Sequence, residues 1–502
     1  MGGEDGGSGA PGAPGAGSDA AAVHAQDNTN RPPDITVNGP QLTAVTSPMS
    51  PRGATTPNPF SRKNTTLDLD DYFTGPRDIQ KHSKWPIFLQ MHGSILPKMI
   101  IPLMVIAAWA TMFTVLHHKV AQMGISNILL TVLGFVVGLG LSFRSSTAYE
   151  RYAEGRRYWA QLILTTQNLG RVIWIHASER DGEQGQKDLL AKLTALNLLV
   201  AFAVALKHKL RFEPYTCYED ISSLVNHLDT FAQAATRDEP DKAQKALKKP
   251  GLFKSTGEYL GISFAASNPR KTIKKATRPL GNLPLEILSY LASFTDELVQ
   301  NGQLSIPMHQ TLAYNNIAAL NDVLTGTDRV LNTPLPIAYA IAISQITWVY
   351  ILLLPFQLLL PLGWITIPGT VAAAYIILGI LFIGREIENP FGTDVNDLPL
   401  ESYCAQIAAD MDVIASRRKP KNRDWIETID NRVLWPLSNS GWQVWMHRGE
   451  ARIREAVSHK LETNFEMKME LDHELAHHHH HHHHQKGETE KHVHKRHEAS
   501  EV

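Results

Sequence analysis

Cysteine is scarce in this chain, since Cys217 and Cys404 are the two among 502 residues. Two cysteines cannot build a disulfide framework, and we expect reduced thiols. Neither sign of charge is in excess, because the formal net charge is -1; binding to nucleic acid is therefore not expected. The sequence also lacks a nucleotide-binding loop, a zinc motif and a nucleophile–base set. We predict no enzymatic activity and no required cofactor.

Large apolar residues are nearly absent from both ends of the chain. Residues 1–65 consist mainly of Gly, Ala, Pro, Ser and Asn, which bury too little surface to offset the entropy of ordering, so this tail is predicted to be disordered. At the other end, a cytosolic segment over 416–476 precedes a His-rich tail over 477–502. The histidine run in that tail is either native low-complexity sequence or a purification tag.

Four long apolar stretches stand between these polar ends, and each approaches the roughly 20 residues that a membrane helix needs. They cover residues 99–116, 125–143, 337–362 and 367–383. Short connections pair them into two hairpins. The sequence therefore predicts an all-α, multi-pass membrane protein with four transmembrane helices.

The region between the two hairpins is predicted to form a large helical cytosolic region. Ala191–Leu206 is apolar but short, and a buried cytosolic helix is favoured over a fifth span. A Lys-rich stretch over 240–279 contains Gly and Pro breaks and is interpreted as a flexible insertion. Basic residues flank the hairpins on the side of both termini, which places both termini in the cytosol. We favour the plasma membrane over an internal membrane.

Phe135, Leu139 and Phe143 recur every four residues and so share one stripe of a helix. Large apolar side chains on one stripe could line an apolar constriction of a pore. The same spacing is equally typical of side chains that face lipid or another helix.

The second span continues without a turn signal into a charged helical segment. Its basic residues either attract anions at a cytosolic vestibule or form a solvated face. They are Arg144, Arg151, Arg156 and Arg157.

Two acidic residues follow the last span closely. Asp394 and Asp397 lie just after Gly392, with Asn396 between them. Oxygen-bearing side chains at this spacing suit a hard cation such as calcium. They suit an Asx-turn or a helix cap just as well.

Three separate segments of the chain resemble the bestrophin family, most closely its bacterial, fungal and plant branch. They are GPRDIQKHSKWPIFLQMHGS (75–94), FRSSTAYERYAEGRRYW (143–159) and ENPFGTDVNDLPL (388–400). The resemblance covers about residues 70–415, and we assign residues 66–415 to a bestrophin-like channel domain.

The resemblance implies a homopentamer in the lipid bilayer, with one central pore that conducts mainly chloride. It also implies that Phe135, Leu139 and Phe143 line the pore neck and that Leu304 forms a second, cytosolic aperture. Animal members carry a calcium clasp with an unbroken acidic run, which this chain interrupts. Asp394 and Asp397 match its side-chain ligands, so the resemblance leaves calcium activation in doubt.

These observations favour a passive anion channel. Two alternatives stay open: a coupled anion transporter, and a non-conducting membrane scaffold. A transporter is expected to show inverted repeats and broken helices near the midplane, and the two hairpins have no evident internal similarity.

Overall fold

Helices form all the regular secondary structure of the residues that the structure, a computed structural model, describes. These residues are 93–126, 128–213, 216, 218–236 and 280–461, with isolated positions at 86, 89, 465 and 469. All of them belong to one unit, Pro57–Val502. The predicted N-terminal tail, Lys-rich insertion and His-rich tail lie outside the described residues. Within this scope, the predicted all-α class is confirmed.

The helices follow one another along the chain with short connections. They are α1 (Leu96–Lys119), α2 (Ile128–Arg171), a π-helix (Val172–His176), α3 (Glu183–Leu210), α4 (Glu219–Val225), α5 (Phe231–Thr236), α6 (Leu283–Gln300), α7 (Pro307–Asn332), α8 (Ile337–Leu362), a 3₁₀ turn (Gly363–Ile365), α9 (Thr366–Glu386), α10 (Leu400–Ala415), α11 (Asn422–Ile426) and α12 (Trp442–Arg448).

Four stretches among the described residues are long and apolar enough to cross a membrane. They are Leu96–Lys119, Ile128–His176, Glu183–Leu210 and Ile337–Glu386. The last of these contains two helices, α8 and α9, because Gly363 has φ 52° and turns the chain where α8 ends. The chain therefore offers both predicted hairpins, α1 with α2 and α8 with α9.

The membrane hairpins pack on each other around a small apolar core. Helix α9 contacts α1, α8 and α2. Met99, Ile106, Leu141, Ile351 and Leu378 lie at the centre of this core and are buried. The helices thus enclose side chains rather than a passage.

Helix α3 is the centre of a second, larger core. Of the most apolar segment of α3, 67% is buried inside the protein. The corresponding share is 17% for the stretch that begins with α2. Helices α6 and α10 pack directly against it. A helix that is apolar all round and covered by its own chain needs no lipid. This packing supports the prediction that the helix over Ala191–Leu206 is buried in protein; its cytosolic location stays a prediction.

The C-terminal end of α3 brings buried charges into this core. Arg211 Nη1 and Nη2 donate to the two carboxylate oxygens of Glu401 at 2.5 and 3.1 Å. His208 has Glu213 Oε2 at 2.9 Å from Nδ1 and Asp220 Oδ1 at 2.8 Å from Nε2. Lys207 also donates to Asp220. Each buried charge is therefore paired, as a low-dielectric interior requires.

Candidate ion pathway

Helix α2 is one continuous helix of 44 residues. At 1.5 Å per residue it is about 66 Å long. The hydrocarbon core of a bilayer is roughly 30 Å thick, so about half of the helix must extend beyond it. The structure confirms that the second span continues without a break into a charged helix.

The N-terminal half of α2 has two opposite faces. Val137 and Leu141 lie on the face that packs into the membrane core. Phe135, Leu139 and Phe143 lie on the other side and are 73%, 46% and 58% exposed. Because a helix turns about 100° per residue, these three side chains form one stripe that the protomer itself leaves uncovered.

The exposed stripe continues along the C-terminal half of α2 and becomes polar. Residues three, four or seven positions apart lie on the same face of a helix. At these intervals after Phe143 the stripe carries exposed side chains, which are Ser146, Glu150, Arg157, Leu164 and Arg171. The apolar triad is therefore the upper part of a surface that extends along the whole helix.

Two of the four predicted vestibule arginines do not face this surface. Arg144 is 4% exposed, and its Nη2 is 3.3 Å from Glu388 Oε2. Arg151 donates to the backbone oxygens of Thr333, Val330 and Glu388. Both guanidinium groups hold α2 to neighbouring segments. The interpretation of these two residues as vestibule charges is corrected accordingly.

Burial also affects the charge of Arg151. It lowers the pKa of the guanidinium, although Glu388 and Glu154 act in the opposite direction. Because the ordinary pKa is above 12, the side chain stays protonated. Its role is to hold the C-terminal end of α7 on α2.

The other two arginines are exposed. Arg156 stacks over the ring of Tyr403, with its Cζ 4.6 Å from the ring centroid. Arg157 lies on the same stripe as Phe143, fourteen residues further along α2. Of the four predicted positions, Arg157 is the one whose charge is on the uncovered stripe.

Leu304 is not on the surface of the protomer. Its side chain is 1% exposed and belongs to the larger core around α3. Its backbone is fixed as well, because Gln310 Nε2 donates to its carbonyl oxygen at 2.7 Å. A side chain in this position cannot line a pore, which corrects the expected aperture. Ile306, two residues later and 49% exposed, is the apolar side chain of this turn that reaches the surface.

The loop after α9 is closed by its own acidic side chain. Asp397 is buried, and its Oδ2 accepts a hydrogen bond of 2.6 Å from the backbone N–H of Asp394. A Cβ at Gly392 would stand 2.4 Å from that same oxygen, so the close approach requires glycine. The backbone N–H of Asp397 donates in return to the carbonyl oxygen of Asp394 at 3.1 Å, so the two residues close the turn reciprocally. Because the side chain of Asp397 accepts from a residue before it and not after it, this turn is neither the Asx-turn nor the helix cap that the sequence left open beside calcium binding.

Positively polarised groups already contact the oxygen atoms beside this loop. Lys98 Nζ lies 3.2 Å from Glu386 Oε2 and 3.8 Å from Asp394 Oδ1. Asn396 Nδ2 donates to the other Glu386 oxygen at 2.8 Å and to the carbonyl of Gly93 at 2.9 Å. Among the described residues, no three His, Cys, Asp or Glu side chains form a group that could hold a metal.

Several residues of this region were not predicted as site residues. Glu388 lies in the segment 388–400 and Lys98 is one of the basic residues before the first span, but their ion pairs join positions 244 and 288 residues apart. Sequence spacing carries no signal for such pairs. The inward position of Arg144 did have a signal, since it follows Val137 and Leu141 at helical intervals of seven and three.

The chain is similar in sequence to known proteins. The family model described as "Bacterial/Fungal Bestrophin protein" matches residues 77–251 and 264–413. A voltage-dependent anion channel-forming protein of Synechocystis sp. is 32% identical over 327 residues, which are 65% of this chain and 90% of that protein. A protein of the same description from Nostoc sp. is 30% identical over 346 residues, 67% of this chain and 94% of that one.

A solved structure with a similar fold comes from a bacterium. A variant of a bacterial bestrophin homologue from Klebsiella pneumoniae is 23% identical, with a TM-score of 0.47. The match covers 64% of this chain and 100% of the solved chain.

Proposed function

The chain belongs to the bacterial and fungal bestrophin family, and we propose that it forms a passive chloride channel. The neck of the pore consists of Phe135, Leu139 and Phe143 of α2. The observation that carries this proposal is the uncovered apolar stripe on the face of α2 opposite the membrane core. Relatives described as anion channel-forming proteins supply the ion class.

The pore of this channel lies between copies of the chain. The helices of one protomer enclose a filled apolar core, so the passage must be built from outer surfaces. Five copies that turn the stripe of α2 toward a common axis give a closed ring of apolar side chains. Native mass spectrometry of the detergent-solubilised protein measures the number of copies.

Anions are favoured at two levels of this passage. The ring edges of Phe135 and Phe143 carry partial positive charge and would face a permeating anion in the neck. Further along α2, the exposed guanidinium of Arg157 raises the local anion concentration. Ile306, at the beginning of α7, is the candidate for a second apolar constriction in place of Leu304.

Both termini of the channel lie in the cytosol in this proposal, with the protein in the plasma membrane. Arg144 and Arg385 follow the second and fourth spans, whereas the connection over 363–366 has no charged residue. Basic residues are retained on the cytosolic side of membrane proteins. Protease protection of a tagged terminus in sealed cells checks the orientation.

Planar bilayers containing the purified protein test the neck. We expect a chloride-selective current from the native chain. Replacing Phe135, Leu139 and Phe143 with alanine widens and hydrates the constriction, so the single-channel conductance should rise by about threefold or more. The reversal potential under a potassium chloride gradient measures selectivity in the same recording.

A matched control changes three apolar side chains that are also exposed but lie on α1. Met104, Val105 and Met112 are 67%, 60% and 50% exposed, and their replacement with alanine should leave the conductance unchanged. Equal conductance of the neck variant and the native chain would refute the neck assignment. Cation selectivity would refute the anion channel itself. Saturable electroneutral flux would refute the channel in favour of a transporter. Bilayers without current would favour the non-conducting scaffold.

Calcium has no required role in this proposal, because Lys98 supplies the positive charge beside Glu386 and Asp394. Replacing Lys98 with methionine leaves the buried carboxylate of Glu386 without its ammonium partner. We expect a loss of about 1–3 kcal/mol in the free energy of unfolding. Millimolar calcium, which binds oxygen ligands, should restore part of the loss. Thermal unfolding with and without calcium measures both effects.

The control for this substitution is Lys187→Met, because Lys187 forms an exposed pair with Glu183 on α3. That variant should show neither the loss nor the response to calcium. A native protein that gains as much thermal stability from calcium as Lys98→Met would contradict the proposal.

A further inference from the structure

Two histidines stack against each other at the cytosolic end of the exposed stripe of α2. His176 ends the π-helix and His309 lies in the first turn of α7, and their ring centroids are 4.0 Å apart. Both side chains are partly exposed. Arg171, on the stripe itself, precedes His176 by five residues.

A strongly basic segment is fixed beside the histidine pair. Residues 417–421 are Arg, Arg, Lys, Pro and Lys, and all five are exposed. The carbonyl oxygen of Arg417 accepts a hydrogen bond of 2.7 Å from Trp174 Nε1, which ties the segment to the π-helix. The charges of Lys419 and Arg171 both reach the ring of His176.

Three acidic side chains on the segments that flank the histidine pair have partners of their own. Glu179 is 3.1 Å from Lys192, which comes from α3. Asp188, also on α3, pairs with Arg180 at 2.7 Å, and Asp410 accepts a hydrogen bond from Gln167 at 2.9 Å. The charges that act on His176 are those of His309, Lys419 and Arg171, and all three are basic.

We propose that His176, His309, Arg171 and Lys419 form a pH-dependent binding site for a multivalent oxyanion of the phosphate class. Guanidinium, ammonium and imidazolium N–H groups match the oxygen atoms of such an anion. Several cationic groups at one place call for more than one negative charge, which chloride does not have. We name the four residues the cytosolic basic site.

The position of the cytosolic basic site separates it from the membrane surface. Arg171 is 28 residues beyond Phe143 on the same helix, a distance of about 42 Å along the axis. Charges on lipid headgroups are screened within roughly 8–10 Å at physiological salt. A soluble anion is therefore the ligand. The site stands on the stripe that leads to the neck, but binding there does not depend on conduction.

Protonation controls the site. Burial lowers the pKa of His176 below its ordinary value, and the charges of His309, Lys419 and Arg171 lower it further. A bound polyanion opposes those charges and stabilises the imidazolium form. Binding therefore takes up a proton, and by linkage the affinity rises as the pH falls toward the depressed pKa of His176 and levels off below it, where the free imidazole is already protonated.

Isothermal titration of the full-length protein with inorganic pyrophosphate tests the proposal at constant ionic strength. We expect binding about tenfold tighter at pH 5.5 than at pH 7.5, which corresponds to the uptake of about half a proton averaged over these two pH units. The heat should also depend on the ionisation enthalpy of the buffer, because protons are taken up. His176→Gln with His309→Gln should remove the protein's share of the pH dependence and of the proton uptake, and leave the share that comes from protonation of pyrophosphate itself. Lys419→Gln should weaken binding several-fold at both pH values.

The histidine run over 477–484 titrates in the same pH range. The native chain and the double glutamine variant both contain the run. The test is therefore the difference between the two proteins in the pH dependence of pyrophosphate binding. His447→Gln, an exposed histidine on α12, is the control and should change nothing. Lys419 is exposed, so its variant tests the site even if the histidine variants fold poorly.

No binding of pyrophosphate, or a double variant with the full pH dependence of the native chain, would overturn the proposal. A chloride current without pH-dependent pyrophosphate binding would overturn this site and leave the channel standing. Pyrophosphate binding by a protein that gives no current in bilayers would overturn the channel and leave the cytosolic basic site standing.

Discussion

Replacing Arg211 with methionine should lower the free energy of unfolding by about 3–5 kcal/mol, because the change removes the guanidinium partner of a buried carboxylate. The side chains of Arg211 and Glu401 are 7% and 11% exposed. Methionine fills much of the space of arginine but cannot donate to Glu401. Urea unfolding followed by tryptophan fluorescence measures the loss.

The acid sensitivity of the same pair gives a second readout. Burial opposes ionisation of Glu401, but the charge and hydrogen bonds of Arg211 outweigh it and lower its pKa from 4.5 to about 2. A depressed folded-state pKa means that the stabilisation is present above pH 4.5 and is lost as the pH falls toward 2. Arg211→Met should lack this part of the acid response.

Arg454→Met is the matched control for this substitution. Arg454 pairs with Glu450 at 2.7 Å, but both side chains are more than 75% exposed. Solvent screens such a pair, so its removal should hardly change stability. Equal losses for the two variants would contradict the assignment of the Arg211–Glu401 pair as a buried, fully desolvated contact.

Replacing Phe391 with alanine is expected to cost a similar amount, about 3–5 kcal/mol. Phe391 is fully buried, and a Cβ at Gly155 would stand 3.1 Å from its ring. The ring thus fills the space that the missing side chain of Gly155 leaves on α2. Alanine would open a cavity at the contact between α2 and the loop after α9. Thermal and urea unfolding measure the change.

Phe231→Ala removes a ring that is 57% exposed and serves as the control. It should cost far less than Phe391→Ala. A second comparison is Gly155→Ala, which should also destabilise the protein because its methyl group would press on Phe391 and on Pro390 Cγ at 3.2 Å. A Phe391→Ala variant as stable as the native chain would show that the ring fills no essential space.

The membrane helices were the most predictable part of the fold. The third predicted span, 337–362, has the bounds of α8, because Pro336 and Gly363 mark its two ends. The fourth, 367–383, falls inside Thr366–Glu386. Length and apolar composition are enough for such segments, since a bilayer accepts little else. The second predicted span, 125–143, begins three residues before α2. It ends where the apolar sequence ends, whereas the helix itself continues to Arg171.

The candidate site was predictable in its apolar part and only partly in its charged part. A spacing of four residues fixes the common stripe of Phe135, Leu139 and Phe143, and the structure leaves that stripe uncovered. Their role in a pore stays a prediction. Which arginine shares the stripe depends on the helical phase and on distant partners such as Glu388. In the turn before α7, Leu304 and Ile306 are both apolar, and only the packing decides which one is buried.

The continuity of α2 has a consequence for how the chain is made. Its apolar N-terminal half can leave the translocon as soon as it is synthesised, yet the buried face of its C-terminal half must wait for α10. Trp159 and Tyr403, whose rings pack together, are 244 residues apart in the order of synthesis. At roughly 5–20 residues per second, that interval lasts about 12–50 s. A nascent chain therefore displays an apolar helix face beside the membrane for all of that time, and we expect chaperone contact there.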